Sequence, residues 1–231
     1  MDRETLLSNI AEWQDRIGEA SAKWGGAQIC AVSKTVDAGT VNLAWEGGIR
    51  ILGENRVQEL VSKQEQLNPG YQIHLIGRLQ TNKVRPAVQR AAMIQSLDRE
   101  ALAQEISRRA VAEGRVMPVL VQVNIAREPQ KAGVDEEELV PLLERWAQLP
   151  GLDIRGLMAI MPAVDDPEAV RPYFRRMREW FDRLRDMDLP GVAMQTLSMG
   201  MSDDAVVAAQ EGATMVRLGR ALFGARTAPQ G

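Results

Sequence analysis

The chain contains little of what disulfide-bonded and metal-binding proteins need. It has one cysteine, Cys30, and one histidine, His74, among 231 residues. A single cysteine excludes a disulfide framework and a multi-cysteine metal site, and a single histidine cannot build a histidine-based metal site. We therefore expect no bound metal.

Aromatic side chains are scarce, and there is no excess of positive charge. Aromatic residues make up 4% of the chain and its formal net charge is −3, so neither base stacking nor counterion release favours a nucleic acid partner. No apolar stretch is long enough to cross a bilayer, and the first residues lack the pattern of a signal peptide. Together with the low cysteine content, these features predict a cytoplasmic protein that binds neither nucleic acid nor membrane.

The apolar pattern alternates between strand and helix along the chain. Helical spacing over residues 1–26 predicts an N-terminal helix that packs on the rest. Eight apolar strands are predicted after it, at residues 28–33, 49–53, 72–76, 93–97, 118–125, 154–160, 193–197 and 215–218. Eight strand–helix units favour an α/β fold, a single (β/α)8 TIM barrel over residues 1–231. An open doubly wound sheet is disfavoured, because no Gly-x-Gly-x-x-Gly follows the first strand.

Lys34 closes the first apolar strand, where an ammonium group is either solvated at the rim or held for chemistry. A lysine that reacts with a carbonyl does so as the neutral amine, which a poorly solvated site favours. If Lys34 points to the C-terminal mouth of a barrel, then Val32 and Cys30 face its interior and Ile29 and Ala31 face the helices. That mouth is where barrel enzymes keep their active sites.

The turns after the seventh and eighth predicted strands have the composition of a phosphate site. Ser198 and Gly200 end one strand, and Gly219 with Arg220 follows the other. Barrels often bind phosphate between these two loops, although two ordinary turns would show the same spacing. Ser202 is a plausible helix N-cap, with Asp203 and Asp204 predicted in the first helical turn.

Further polar groups follow the second and third strands, including Asn55 and the only histidine. His74 is interpreted as a hydrogen-bonded interior residue rather than a general base. Asp98 is predicted to cap a helix that stops at Gly114. Six arginines between residues 171 and 185 are interleaved with acidic residues, which favours a solvated helix face over an RNA-binding patch.

Taken together, several of these segments resemble the pyridoxal phosphate homeostasis protein family. The similarity is collinear and rests on AVSKT at 31–35, GEN at 53–55, HLIGRLQTNK at 74–83, GLM at 156–158, LSMGMSDD at 197–204 and VRLG at 216–219. The family's fold resembles the barrel domain of bacterial alanine racemase without that enzyme's second domain. The resemblance implies the cofactor pyridoxal 5′-phosphate, held as an aldimine by Lys34.

The other cofactor-binding residues that the resemblance implies form a phosphate cup, face the pyridine nitrogen or lie beside the ring. They are Ser198, Gly200, Gly219 and Arg220 for the cup, Arg217 for the nitrogen, and Asn55, Met158 and, less directly, His74 near the ring. Two positions depart from the family pattern. Arg220 stands where a small hydroxyl residue is expected, and Leu52 stands where an aromatic one is.

The resemblance implies a carrier that buffers or delivers the cofactor, rather than an enzyme. An arginine at the pyridine nitrogen leaves the ring a weak electron sink, and the second catalytic tyrosine of alanine racemase has no counterpart in Tyr71 or Tyr173. Cofactor-dependent apo-enzymes are the implied transient partners, and a monomer is expected. An amino acid racemase and an RNA- or protein-binding module are the alternatives.

Overall fold

Eight parallel strands close into a barrel in chain order in the computed structural model, which describes residues 1–224. The strands are β1 Gln28–Val32, β2 Ile51–Glu54, β3 Gln72–Leu75, β4 Met93–Leu97, β5 Met117–Val123, β6 Leu152–Ala159, β7 Val192–Met201 and β8 Met215–Leu218. The helices within this range are α1 Arg3–Ser21, α2 Ala38–Glu46, α3 Val57–Lys63, α4 Val84–Arg90, α5 Glu100–Ala112, α6 Leu139–Trp146, α7 Arg171–Asp186, α8 Ala205–Gln210 and α9 Arg220–Phe223. The predicted (β/α)8 barrel is confirmed.

The extra N-terminal helix is also confirmed, and it packs on the outside of the barrel. Asp2 caps α1 by accepting a hydrogen bond from the Thr5 amide at 2.8 Å. The apolar face of α1 buries Leu6, Ile10 and Ile17 against α2, α8 and α9. This helix therefore covers the seam where the last strand meets the first.

Alternate residues of each strand face two separate cores. Cys30 packs inside the barrel with Ile51 and Met215, whereas Ala31 belongs to the larger core between strands and helices. The predicted orientation of the first strand is therefore correct for both residues. Burial raises the pKa of the Cys30 thiol to about 12, so this cysteine serves as a small apolar side chain.

Helix ends and charged faces agree in part with the sequence patterns. Gly114 follows α5 with a φ of 61°, as a helix stop requires. The predicted cap was wrong, because Arg99 occupies the N-cap position of α5 and the Asp98 carboxylate instead pairs with Arg99 and, at 3.7 Å, with Arg78.

The arginines of α7 lie among carboxylates. Arg171 binds Glu211 at 2.7 Å and Arg178 binds Asp182 at 2.6 Å, which supports the interpretation of an ion-paired helix face. No helix in residues 1–224 has the length and apolar character needed to cross a bilayer.

Gly156 lies where β6 and β7 approach closely. Its φ is +143°, and a Cβ atom at this position would lie 1.9 Å from the carbonyl oxygen of Thr196 on β7. The pairing register of β6 and β7 shifts at this point, between Ile154 and Gly156. Only glycine fits both the backbone conformation and the space.

We expect Gly156→Ala to lower the free energy of unfolding by about 3 kcal/mol, because the methyl group forces the strands apart and strains the backbone. Urea denaturation of both proteins measures the difference. Gly18→Ala is the matched control: Gly18 lies in α1 with open space around it, and the same substitution there should stabilise by about 0.8 kcal/mol. Equal stability of Gly156→Ala and the wild type would contradict the strand contact.

Candidate functional site

A cavity of about 450 Å³ opens at the C-terminal mouth of the barrel. It is lined by Val32, Lys34, Asn55, Ile76, Ile160, Met201, Ser202, Asp203, Arg217, Gly219 and Arg220. The structure thus gathers five of the sequence-predicted site residues around one space, namely Lys34, Asn55, Arg217, Gly219 and Arg220. They come from the ends of β1, β2 and β8, which the barrel closure places side by side.

Lys34 is half-buried and lies in a tight turn directly after β1. The residues on either side of it are held by side chains of α3. Lys63 Nζ donates to the Ser33 carbonyl at 2.7 Å, and the Thr35 amide donates to Glu59 at 3.2 Å. Thr35 adopts a φ of 65°, a conformation that non-glycine residues rarely take outside constrained sites. These contacts fix the direction in which Lys34 leaves the strand.

Glu54 lies beneath this turn as a fully buried carboxylate. Its Oε1 accepts hydrogen bonds from the Ser33 hydroxyl at 2.7 Å and from Lys63 at 3.1 Å, whereas Oε2 has no partner. Burial raises the pKa of Glu54, and the bonds from Ser33 and Lys63 oppose that rise. These two neighbours therefore favour the ionised form of Glu54, and its burial disfavours it.

Arg217 lines the same cavity from β8, the strand that pairs with β1, and is 4% exposed. It donates one hydrogen bond to the Ser198 hydroxyl at 2.7 Å and one to the Ala159 carbonyl at 2.8 Å. Both partners are neutral, and burial lowers the pKa of Arg217, although an arginine stays protonated at neutral pH. The site therefore holds a buried positive charge whose hydrogen-bond partners carry no negative charge.

Backbone amides converge beside Arg217, at the start of α9. The N–H groups of Gly219 and Ala221 both point at the Ser202 hydroxyl, 3.3 Å away. The sequence had suggested that Ser202 caps a helix. This prediction was wrong, because Asp204 occupies the N-cap of α8. Asp203 and Asp204 precede the helix instead of lying in its first turn, and the Asp204 carboxylate accepts from the Met201 amide at 2.6 Å.

The side chain of Arg220 lies at the outer rim of the cavity. Its guanidinium is 2.6 Å from Asp203, and both side chains are more than half exposed. A solvated pair of this kind contributes little stability. The guanidinium is thus balanced by a neighbouring carboxylate, while the backbone of the same residue belongs to the amide turn.

Four predicted site residues do not line this cavity. Three of them bury their side chains inside the barrel, and the fourth is a glycine at a packing contact. Ser198 and His74 lie in a buried hydrogen-bonded group, with Gln95 between them. Met158 is fully buried with Met93 and Leu120. Gly200, with a φ of 91°, would carry a Cβ 2.5 Å from that of Ala208, so its missing side chain allows α8 to pack.

His74 is 3% exposed and its Nδ1 lies 2.9 Å from Gln95 Nε2. Burial lowers the pKa of His74 to about 4, so the ring is neutral at physiological pH. The interpretation of an interior, hydrogen-bonded histidine is confirmed. Sequence analysis did not identify Gln95 or Ser202 as site residues. Ser202 was assigned to helix capping, although it lies in the LSMGMSDD motif that carries the family resemblance.

Asn55 joins the main cavity to a second recess. The recess has a volume of about 500 Å³ and is lined by Asn55, Arg56, Val57, Gln58, Glu59, Arg78, Leu79, Gln80 and Lys83. Asn55 Oδ1 is buried and has no hydrogen-bond partner. A buried amide oxygen without a partner is unusual and is best explained by a group that binds beside it.

Comparison with known proteins gives a consistent match over the whole chain. The family model for "Alanine racemase, N-terminal domain" matches residues 1–227. The pyridoxal phosphate homeostasis protein of Aquifex aeolicus is 44% identical over 226 residues, which are 95% of this chain and 96% of that protein. The chain belongs to the pyridoxal phosphate homeostasis protein family.

A solved structure also resembles this one closely. PipY of Synechococcus elongatus PCC7942 is 36% identical, and this similarity covers 95% of this chain and 100% of PipY. The TM-scores are 0.86 to PipY without pyridoxal phosphate and 0.84 to PipY with pyridoxal phosphate bound. Alanine racemase of Bartonella henselae, at 15% identity and a TM-score of 0.72, shares the fold over 60% of its own length.

We expect Lys63→Met to destabilise this family member by about 3–5 kcal/mol at neutral pH, because the buried Glu54 carboxylate loses its counter-ion. The pKa of the Glu54 carboxyl is raised on folding from its ordinary value of 4.5. Its contribution to stability is therefore complete at a pH below 4.5 and is lost as the pH rises through the pKa of the folded state. The deficit of the variant should therefore shrink toward acid pH in chemical denaturation.

The double variant Glu54→Gln/Lys63→Met is the control for this effect. It removes both charges, so it should be more stable than Lys63→Met at neutral pH and should lose the pH dependence of the deficit. A deficit in Lys63→Met that is the same at every pH would rule out Glu54 as its cause.

Proposed function

We propose that this protein binds pyridoxal 5′-phosphate as a covalent imine with Lys34 and buffers or delivers it in the cytoplasm. The observation that carries the proposal is the arrangement of three features around one cavity. Lys34 follows β1, and Arg217 and the amides of Gly219 and Ala221 lie on and after the adjoining strand β8. An amine, a buried cation and converging N–H donors are the groups that an aldehyde, a pyridine ring and a phosphate ester require.

The residues present fit this cofactor at each of its polar groups. The Gly219 and Ala221 amides already point at an oxygen, the Ser202 hydroxyl, so a phosphate oxygen beside it would meet the same donors. Arg217 can only donate a hydrogen bond, so it would face an unprotonated ring nitrogen. The unpartnered amide of Asn55 would gain a partner from a ring substituent. Ser202 therefore replaces Ser198 in the proposed phosphate cup.

The proposed bond is an ordinary imine condensation. The neutral Nζ of Lys34 adds to the aldehyde carbon, the new C=N bond replaces the C=O bond, and the oxygen leaves as one molecule of water. Attack by water restores the aldehyde, and attack by another amine transfers the carbon to that amine as a new imine; both free the lysine. A carrier needs only this exchange, and the α3 contacts on Ser33 and Thr35 hold the lysine ready for it.

A racemase needs an acid or base on each face of the substrate carbon, and the cavity offers no tyrosine for the second role. Tyr71 donates to the Val41 carbonyl at 2.8 Å, and burial raises its pKa to about 12. Tyr173 lies on α7, in the outer ring of helices. We therefore propose a non-catalytic role, acting as a monomer with cofactor-dependent apo-enzymes as transient acceptors.

We expect the purified protein with pyridoxal phosphate to show an imine absorption band at the edge of the visible range. Lys34→Ala should lose this band, because no other lysine of residues 1–224 lines the cavity. Lys83→Ala is the matched control, since Lys83 lines only the neighbouring recess, and it should keep the band. A wild-type protein that stays colourless after addition of the cofactor would contradict the proposal.

Incubation of the loaded protein with L-alanine in deuterated water separates a carrier from a racemase. Without a second acid or base we expect exchange of the α-proton to be slower than in an alanine racemase by about 100-fold or more. Proton NMR of the alanine measures the rate. Exchange at enzyme-like rates would establish catalysis and would assign the protein to the alternative.

A further inference from the structure

A chain of hydrogen bonds crosses the interior of the barrel and ends at the cavity. Arg217 donates to the Ser198 hydroxyl at 2.7 Å, and that hydroxyl donates to Gln95 Oε1, also at 2.7 Å. Gln95 Nε2 then lies 2.9 Å from His74 Nδ1. The four residues lie on β8, β7, β4 and β3, and each is at most 4% exposed.

The direction of this chain is set at its Arg217 end. A guanidinium can only donate, so the Ser198 oxygen accepts there and uses its own proton toward Gln95. Gln95 consequently presents its oxygen to Ser198 and its NH₂ group to the histidine. His74 must accept this bond at Nδ1, which leaves the ring proton on Nε2 and the ring neutral.

Burying polar groups inside a barrel costs free energy, and much of this interior is apolar. Cys30, Ile51 and Met215 form one interior cluster, and Met93 with Leu120 and Met158 forms another. A buried polar chain is tolerated when every member has a partner, and it then holds its members in one orientation. The only one of the four residues that reaches the cavity is Arg217.

We propose that Gln95 and Ser198 are positioning residues that orient Arg217, and that His74 anchors the far end of the chain as the neutral Nε2–H tautomer instead of touching the cofactor. Two of the five N–H donors of Arg217 are engaged, by Ser198 and by Ala159, and the residue also lines the cavity. The cofactor-related part of this proposal rests on the proposed function.

The first test uses the protein without cofactor. His74 is the only histidine in the chain, so long-range ¹H–¹⁵N NMR of the imidazole reports its tautomer without ambiguity. We expect the Nε2–H form at neutral pH in the wild type. In Gln95→Met, which keeps the length of the side chain but removes its hydrogen bonds, we expect a mixture of tautomers. The Nδ1–H form in the wild type would overturn the proposed direction of the chain.

The second test measures what the chain does for Arg217. In Gln95→Met we expect the dissociation constant for pyridoxal phosphate to rise about tenfold, as loss of one well-made bond to a charged group predicts. The pH titration of the imine band should shift as well, since the guanidinium no longer holds its place at the ring nitrogen. Ser198→Ala, which removes a single hydroxyl, should shift the dissociation constant and the titration in the same directions as Gln95→Met. This variant provides the test if Gln95→Met fails to fold.

Gln122→Met is the matched control. Gln122 is 5% exposed and bonds the Ala132 carbonyl at 2.9 Å, so its loss perturbs a buried glutamine outside the chain. The control should leave the His74 tautomer and the imine titration as in the wild type.

Unchanged affinity and titration in a folded Ser198→Ala would overturn the positioning role. Failure of the wild type to form an imine would refute the proposed function alone, because the tautomer is read without cofactor.

Discussion

The hydrogen bonds between β1 and β8 are the constraint on which the site depends. They pair Cys30 with Arg217 and Ala31 with Leu218, residues that lie far apart in the chain. The turn that carries Lys34 and the amides that follow β8 thereby become neighbours at one end of the barrel. Because strands in a barrel are fixed by partners on both sides, neither wall of the cavity can move without breaking the ladder.

Both sides of the cavity are supported by buried polar groups. Beneath Lys34 lies the carboxyl group of Glu54, held by Ser33 and Lys63. The hydrogen-bond partners of Arg217 are neutral, and the Asp204 carboxylate acts on it electrostatically. Unpaired buried oxygens cost free energy, and two of them, Glu54 Oε2 and Asn55 Oδ1, lie together at the end of β2. Such places are commonly reserved for binding.

The same arrangement explains how a racemase-type barrel would act as a carrier. The groups that would hold a cofactor are built into strand ends and short turns, which are rigid. A second proton donor or acceptor opposite Lys34 has no counterpart among the tyrosines, one of which is committed to the Val41 carbonyl. We therefore propose capture and release at Lys34, rather than proton transfer at a substrate carbon.

Local patterns in the sequence determined the architecture: eight apolar runs, the helix at residues 1–26 and the orientation of Cys30 and Ala31 all follow from side-chain periodicity. The motifs also predicted which strand ends meet in the site. Which serine faces the cavity was decided by tertiary structure, because the bulged pairing of β7 with β8 turns Ser198 into the barrel and leaves Ser202 at the amide turn. Gln95 carries no local signal at all, since its role exists only when four strands bring Arg217, Ser198 and His74 within reach.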